Sequence, residues 1–279
     1  MLTILGGGLG CSAEERMSLD HFPPNPDYGR GCFRRVVTIR RSARAVLASI
    51  DDTHHAMWVL IEHDGDVVTS IDGDVTRGPS TTCGKSSAAL AALVGRSLDE
   101  AFGRAVLFPA ANCTHLADLA TWGVRAVGTG SPMLTRYEIS VPDEVDRPVW
   151  TSISRNDVTI HRWLIRDHRV SEPEALSGRP LMRGFAAWAR EEFSGDDFEA
   201  AVMLQRGIFV ARGRTRLVDR SPPVPLRMAV DMKDACFSYS GDQFATATSV
   251  IGYVRDFTDH VLEAPPPAHA IALLKGTHE

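Results

Sequence analysis

Thiols and imidazoles gather in three short segments of this chain. They are the pair His54-His55, Cys83 within Ser80-Thr-Thr-Cys-Gly-Lys-Ser-Ser87, and Cys113 within Asn112-Cys-Thr-His-Leu-Ala-Asp118. Thiolate and imidazole are donors that zinc favours, and three protein ligands leave a fourth position for water or substrate. A metal there polarises an oxygen or activates water. Each cysteine precedes a helix-like run, and a helix N-terminus stabilises a thiolate and lowers its pKa. His54 and His55 are adjacent on a strand-like run and point to opposite faces, so one of them joins the site; the pattern does not say which. His115 and Asp118 are three apart on a helix and face each other, a pair suited to orienting a ligand or moving a proton. Asp51-Asp52 read as turn residues, with Asp52, His54 and His115 as candidate proton carriers.

The remaining residues of these types have plainer readings. Cys11 and Cys32 sit in glycine-rich irregular sequence, and Cys236, before Phe237, reads as core. His63 stands in a hairpin turn and reads as surface. Arg255-Asp256 reads as an ion pair or cap.

The elements that would position these groups follow from periodicity. Residues 1–32, with Gly6-Gly-Gly-Leu-Gly10 and Phe22-Pro-Pro-Asn-Pro-Asp27, read as an irregular arm. The glycines miss the dinucleotide fingerprint, because Cys11 replaces the last small residue and prolines interrupt any βαβ unit. Strands are predicted at 35–40, 43–49 and 56–62, and His63-Asp-Gly-Asp66 is a hairpin turn returning through 67–71. Helices are predicted at 86–94, stopped by Gly95, then from Ser97-Leu-Asp-Glu100 with capping-box spacing, then at 114–124. This is an α+β arrangement, an antiparallel sheet backed by helices, over 33–140.

Pro142–Pro148 reads as a linker to a second α+β half over 148–264. That half is expected to hold strands at 150–167, 207–214 and 226–232, a helix at 181–193, helix or strand at 198–204, and a helix through Val254. Pro265-Pro-Pro267 is expected to end the ordered chain, leaving 265–279 as a tail.

Composition bounds the function. The chain has 279 residues, 44% hydrophobic and 23% charged, with net charge -5. These are values of a globular protein with a sizeable core. Arg34-Arg35 and Arg40-Arg41 are too local a basic stretch for a nucleic-acid partner. No apolar run reaches the roughly 18–20 residues of a membrane span, and the N-terminus lacks a signal-peptide pattern. Five cysteines, an odd count, argue against a disulfide framework and for a reducing, cytoplasmic setting. There is no Walker loop and no G-x-S-x-G elbow.

Thr53-His-His-Ala-Met-Trp-Val-Leu-Ile-Glu-His-Asp-Gly-Asp-Val-Val-Thr-Ser-Ile71, Thr82-Cys-Gly-Lys-Ser-Ser-Ala-Ala-Leu and Cys113-Thr-His-Leu-Ala-Asp118 resemble a bacterial family of unassigned function, domain of unknown function 2889. Gly178-Arg179, Trp188-Ala189 and Val254-Arg255-Asp256-Phe257 resemble the extension of its longer members. Cys83, its helix and Val-Gly-Arg-Ser-Leu-Asp-Glu-Ala101 also resemble, more distantly, the iron–sulfur scaffolds of the NifU/IscU-like fold. That likeness puts Cys83 and Cys113 at two ligand positions and His55 where the family has an aspartate. Thr53 replaces the first cysteine, which removes cluster assembly and leaves His55, Cys83 and Cys113 as the implied ligands of zinc, with iron as the alternative.

The expectation is a metal-dependent lyase, hydratase or hydrolase acting on a small carbonyl or hydroxyl compound. Trp163, Trp188, Phe237 and Tyr239 would wall its pocket, and a homodimer is compatible with the pattern. The alternatives are a metal or iron–sulfur carrier without catalysis, and a metal-free enzyme or structural protein on the same fold.

Overall fold

Runs rich in β-branched and apolar residues make eight strands, and these form one antiparallel sheet in the order β4-β3-β2-β1-β5-β6-β7-β8. The strands are β1 Cys32–Arg41, β2 Ala45–Asp52, β3 Ala56–His63, β4 Val68–Arg77, β5 Leu134–Pro142, β6 Val149–Arg155, β7 Val158–Arg166 and β8 Arg169–Glu172. The helices are α1 Leu98–Ala101, α2 Thr114–Gly128, α3 Phe185–Glu192, α4 Gly195–Ala211, α5 Gly241–Thr246 and α6 Ala268–Lys275. This computed structural model describes residues 19, 22–101, 109–220 and 222–275; Cys11 lies outside them. Among the described residues no helix is long and apolar enough to cross a membrane.

β1 joins the two halves. It pairs with β2 on one side, Val37 opposite Ile50, and with β5 on the other, Val37 opposite Tyr137. The strands of the second half therefore extend the first sheet, and the expected linker at 142–148 is the β5–β6 connection within it. One sheet face carries α2, over β1 to β3, and α4, over β1 and β5 to β7. β4, at the sheet edge, is largely exposed or half-buried, whereas β1, β2 and β3 are buried on most of their residues. Their second face is covered by a chain segment and by α6, whose Ala270 packs on Ala45, Leu47 and Leu60. β5, in contrast, alternates buried and half-exposed residues, as a strand covered on one face does.

Several expected elements differ. The stretch at 86–94 belongs to a 3₁₀ segment, Cys83–Leu93, and Gly95 does stop it, with φ +80°. The strand expected at 207–214 is the end of α4 followed by a 3₁₀ turn, Arg212–Thr215. Gly207 is a contact residue: a Cβ there would lie 2.7 Å from Ile139 Cγ2, so the helix seats on β5 because the side chain is missing. Residues 226–232 form two short 3₁₀ turns, and the helix expected through Val254 is only α5. Helix α6 follows the prolines at 265–267, since proline ends one segment and is tolerated at the start of a helix. His63 is buried in β3, and Cys32 is the buried first residue of β1.

Candidate functional site

The β2–β3 connection is three residues, Thr53-His54-His55, so the histidines lie in a turn and not along a strand. The expectation of opposite faces fails for that reason. Both rings line one cavity, with centroids 6.3 Å apart. Asp52, the last residue of β2 and completely buried, builds the turn. Its Oδ1 accepts the backbone N–H of His54 at 2.6 Å and of His55 at 2.8 Å. Arg77, from β4, clamps the same turn by donating to the carbonyls of Asp52 and His55, both at 2.7 Å, and of Thr53 at 3.3 Å. Its guanidinium also holds the carbonyl of Tyr253 at 3.1 Å, in the covering chain, residues 222–253, whose Val224, Leu226 and Tyr253 line the cavity.

Beneath the cavity runs a chain of charge and imidazole. Arg35 places Nη2 2.6 Å from Asp52 Oδ2, and its Nε donates to the same oxygen at 2.8 Å. His55 Nδ1 lies 3.1 Å from Asp52 Oδ1, and a carboxylate only accepts, so Nδ1 carries the proton and Nε2 is left as the basic nitrogen. His115 stacks on His55 with ring centroids 4.4 Å apart, and its Nε2 accepts from Arg35 Nη2 at 3.3 Å. Burial alone would raise the Asp52 carboxyl. The Arg35 guanidinium, then His55, overcome burial and hold it well below the usual carboxylate range. Burial, His55 and Arg35 together keep His115 neutral.

The candidate residues thus acquire different positions. Asp52, read as a possible base, has both oxygens engaged and acts by orienting His55. Burial pushes His54 down to about 3. Its ring packs between Phe33 and Tyr253, and neither nitrogen has a partner among the described residues. Asp118 pairs with Arg206 of α4 at 3.0 Å, where His115 was the expected neighbour.

The cysteines converge on the same cavity from three segments. Cys83 opens the 3₁₀ segment, Cys113 caps α2, and Cys236 precedes a 3₁₀ turn, Phe237–Tyr239. Hydrogen bonds lace these segments together: Phe237 N–H to the Asn112 carbonyl at 2.9 Å, and Thr82 Oγ1 to Ser238 Oγ at 3.0 Å. Cys236, read as core, is a wall residue; only its position after a long irregular stretch hinted at this. Burial outweighs the N–H groups of Leu116 and His115 at the start of α2, which do lower Cys113 as a helix end is expected to. Burial pushes Cys113 up to about 12 and Cys236 to about 11, and raises Cys83 as well. Among the described residues no three His, Cys, Asp or Glu side chains gather into a group that would hold a metal ion. His55, Cys83 and Cys113 share a wall without converging on a point.

The cavity has a volume of about 290 Å³. Apolar side chains from the sheet (Met57, Val75), from α4 (Phe209, Val210) and from the covering chain (Val224, Leu226, Tyr253) form most of its lining. Of the aromatics expected as walls, Tyr239 lines it. Trp163 and Trp188 pack instead in an aromatic cluster with Phe193 beneath α3.

Fold and site define an α+β protein in which a single antiparallel sheet carries a largely apolar cavity bordered by His54, His55 and His115, with the Asp52 carboxylate behind His55. Residues 36–126 match the model of a family described as protein of unknown function (DUF2889). That segment contains Asp52, His54, His55, Cys83, Cys113, His115 and Asp118, whereas Arg35, Arg206, Cys236 and most of the covering chain lie outside it. Comparison with curated proteins and with solved structures returns no match.

Proposed function

We propose that the cavity is the active site of an enzyme performing proton-transfer chemistry of the lyase, hydratase or hydrolase type on a small carbonyl or hydroxyl compound. One observation carries this reading: His55 is fixed through Nδ1 to a buried, ionised carboxylate while its ring borders a ligand-sized cavity. A carboxylate so placed fixes the tautomer, strengthens Nε2 as a base and stabilises the imidazolium formed when Nε2 takes a proton. Returning that proton to a leaving oxygen or to carbon completes hydrolysis or elimination. Arg35 keeps Asp52 charged throughout, and Arg77 keeps the turn in place.

A second reading binds zinc, or iron, through His55, Cys83 and Cys113. The Asp52–His55 bond favours it, because metal-bound imidazoles are commonly oriented by a carboxylate on the other ring nitrogen. Such a site would require the three segments to move together, and no step above is routed through it.

The test is a screen of small ketones, aldehydes, hydroxy compounds and esters against the wild type and His55→Asn, with metal content measured in parallel. Replacing the base is expected to lower kcat/KM by about 10²- to 10⁴-fold with the fold retained. Equal turnover by the two proteins would sink the assignment of His55. About one zinc or iron per chain, lost in both Cys83→Ser and Cys113→Ser, would establish the second reading.

A further inference from the structure

We propose that the cavity selects an uncharged, largely hydrophobic small molecule, an aromatic or branched aliphatic body carrying one oxygen function that it presents to His55. This rests on the reading of the cavity as an active site and adds the class of substrate.

Charge decides the first part. Among the described residues lining the cavity, Arg206 is the sole lysine or arginine, and there is no aspartate or glutamate. Arg206 is already ion-paired, its Nε 3.0 Å from Asp118 Oδ2. Arg35, behind His115, is bound to Asp52 at 2.6 Å. A carboxylate or phosphate entering this space would leave water without an uncommitted counter-charge, and burying an unpaired charge is strongly unfavourable.

Hydrogen-bonding capacity decides the second part. The serine hydroxyls on the wall are used in holding the enclosure together. Ser80 Oγ lies 3.1 Å from Thr82 Oγ1, Thr82 Oγ1 donates to Ser238 at 3.0 Å, and Ser249 Oγ accepts the Val224 N–H at 2.9 Å. Beside His55, the wall leaves the two ring nitrogens of His54 without a partner among the described residues, which is few for the several hydroxyls of a polyol or sugar. Met57, Val75, Phe209, Val224 and Leu226 instead offer apolar surface, and the imidazoles of His55 and His115 border the same cavity. The volume of about 290 Å³ stands at the small end of ligand sites, which span about 300–1,000 Å³. A single ring or short branched chain with one oxygen matches that combination of size, neutrality and few polar partners.

Three probes of similar simplicity test this by calorimetry on the full chain: acetophenone, benzoate and dihydroxyacetone. Acetophenone is expected to bind at least tenfold more tightly than either of the others. Ala229→Trp and Val224→Trp, which fill the cavity from two points of the covering chain, are each expected to weaken acetophenone at least tenfold. Equal or tighter binding of benzoate or dihydroxyacetone, or no binding of acetophenone to the wild type, overturns the proposal. So does a folded filled variant that binds acetophenone as the wild type does. Should one filled variant not fold, the other and the three-probe ranking still decide. His55→Asn separates this inference from the functional reading. Retained acetophenone binding with turnover unaffected by the substitution removes the role of His55 and leaves the substrate class. His55-dependent turnover of a charged or polyhydroxylated compound does the reverse.

Discussion

Helices α2 and α4 lie side by side in opposite directions on one sheet face, and a cavity opens at each end of the pair. At one end His115 and Arg206 border the apolar cavity of about 290 Å³. At the other, about 15 Å along α2 for the ten residues from His115 to Arg125, Arg125 and Glu199 border a second cavity of about 360 Å³ with Arg155, Asp196, Tyr137 and Thr135. The scaffold is the same and the electrostatics are opposite. Around the first cavity the charges are paired behind the imidazoles or against a helix, leaving neutral rings, thiols and hydrocarbon as most of the wall. In the second the charges are the wall: Arg125 reaches both Asp196 at 3.3 Å and Glu199 at 3.2 Å. Water competes for Asp196 and Arg155 of the second cavity, 51% and 38% exposed, and is excluded from Asp52 and Arg35 beside the first, so equal formal charges carry very different energies at the two places, with Glu199 the buried member of the second set.

The sharpest way to break the comparison is to neutralise one carboxylate at each end. Asp52→Asn leaves the Arg35 guanidinium, 1% exposed, without its counter-charge, and unfolding in denaturant is expected to show a loss of about 3–5 kcal/mol. Asp196→Asn, at a side chain 51% exposed, is expected to cost about 1 kcal/mol or less. Equal losses would mean that the two ends do not differ in solvation.

Protonation sharpens the contrast further. Burial, opposed by Arg125 and Tyr137, raises the Glu199 carboxyl to about 7. The folded chain therefore keeps a proton that the unfolded chain has released. This contributes stability at acid pH that is lost as pH rises through about 7, on the order of 2 kcal/mol between pH 5 and 8. Glu199→Gln is expected to flatten that part of the stability profile; an unchanged slope would refute the assignment. His54 works in the other direction and more weakly near neutrality. Its folded value of about 3 lies below its ordinary one, so the unfolded chain binds the proton first and stability falls as pH drops below about 6.5. The loss is expected to be about 1 kcal/mol at pH 5.5 and to be absent in His54→Asn. Measured by the same denaturant titrations, a loss that persists in the variant would place the acid sensitivity elsewhere.

Much of the fold was legible because local pattern and tertiary position agree where a sheet has a covered face. The apolar run at 56–62 and the Asp64-Gly65 turn mark the β3–β4 hairpin, and the apolar spacing after Cys113 marks α2. Pattern misled where a contact overrode propensity. Gly207 and its β-branched neighbours read as strand, yet the helix forms because Ile139 occupies the space of the missing side chain. Residues 226–254 read as a strand and a long helix, yet they form short 3₁₀ turns and the six-residue α5, because their conformation follows the cavity they cover.

The site divides in the same way. The sequence determined which chemical groups were available: His55, Cys83, Cys113, His115 and Asp118 were identified from type and local spacing, and all of them lie on or beside one cavity. It did not determine their partners. That Asp52 would be held charged by Arg35, that Asp118 would meet Arg206, and that Cys236 would join the other thiols depend on contacts between residues 17 to over 100 positions apart. Burial then set the protonation of these groups, since the energy of a charge depends on the solvent removed around it and not on its neighbours in the chain. Sequence chose the reagents; the sheet, with its two helices and the chain that covers the cavity, decided which of them meet and in what ionic form.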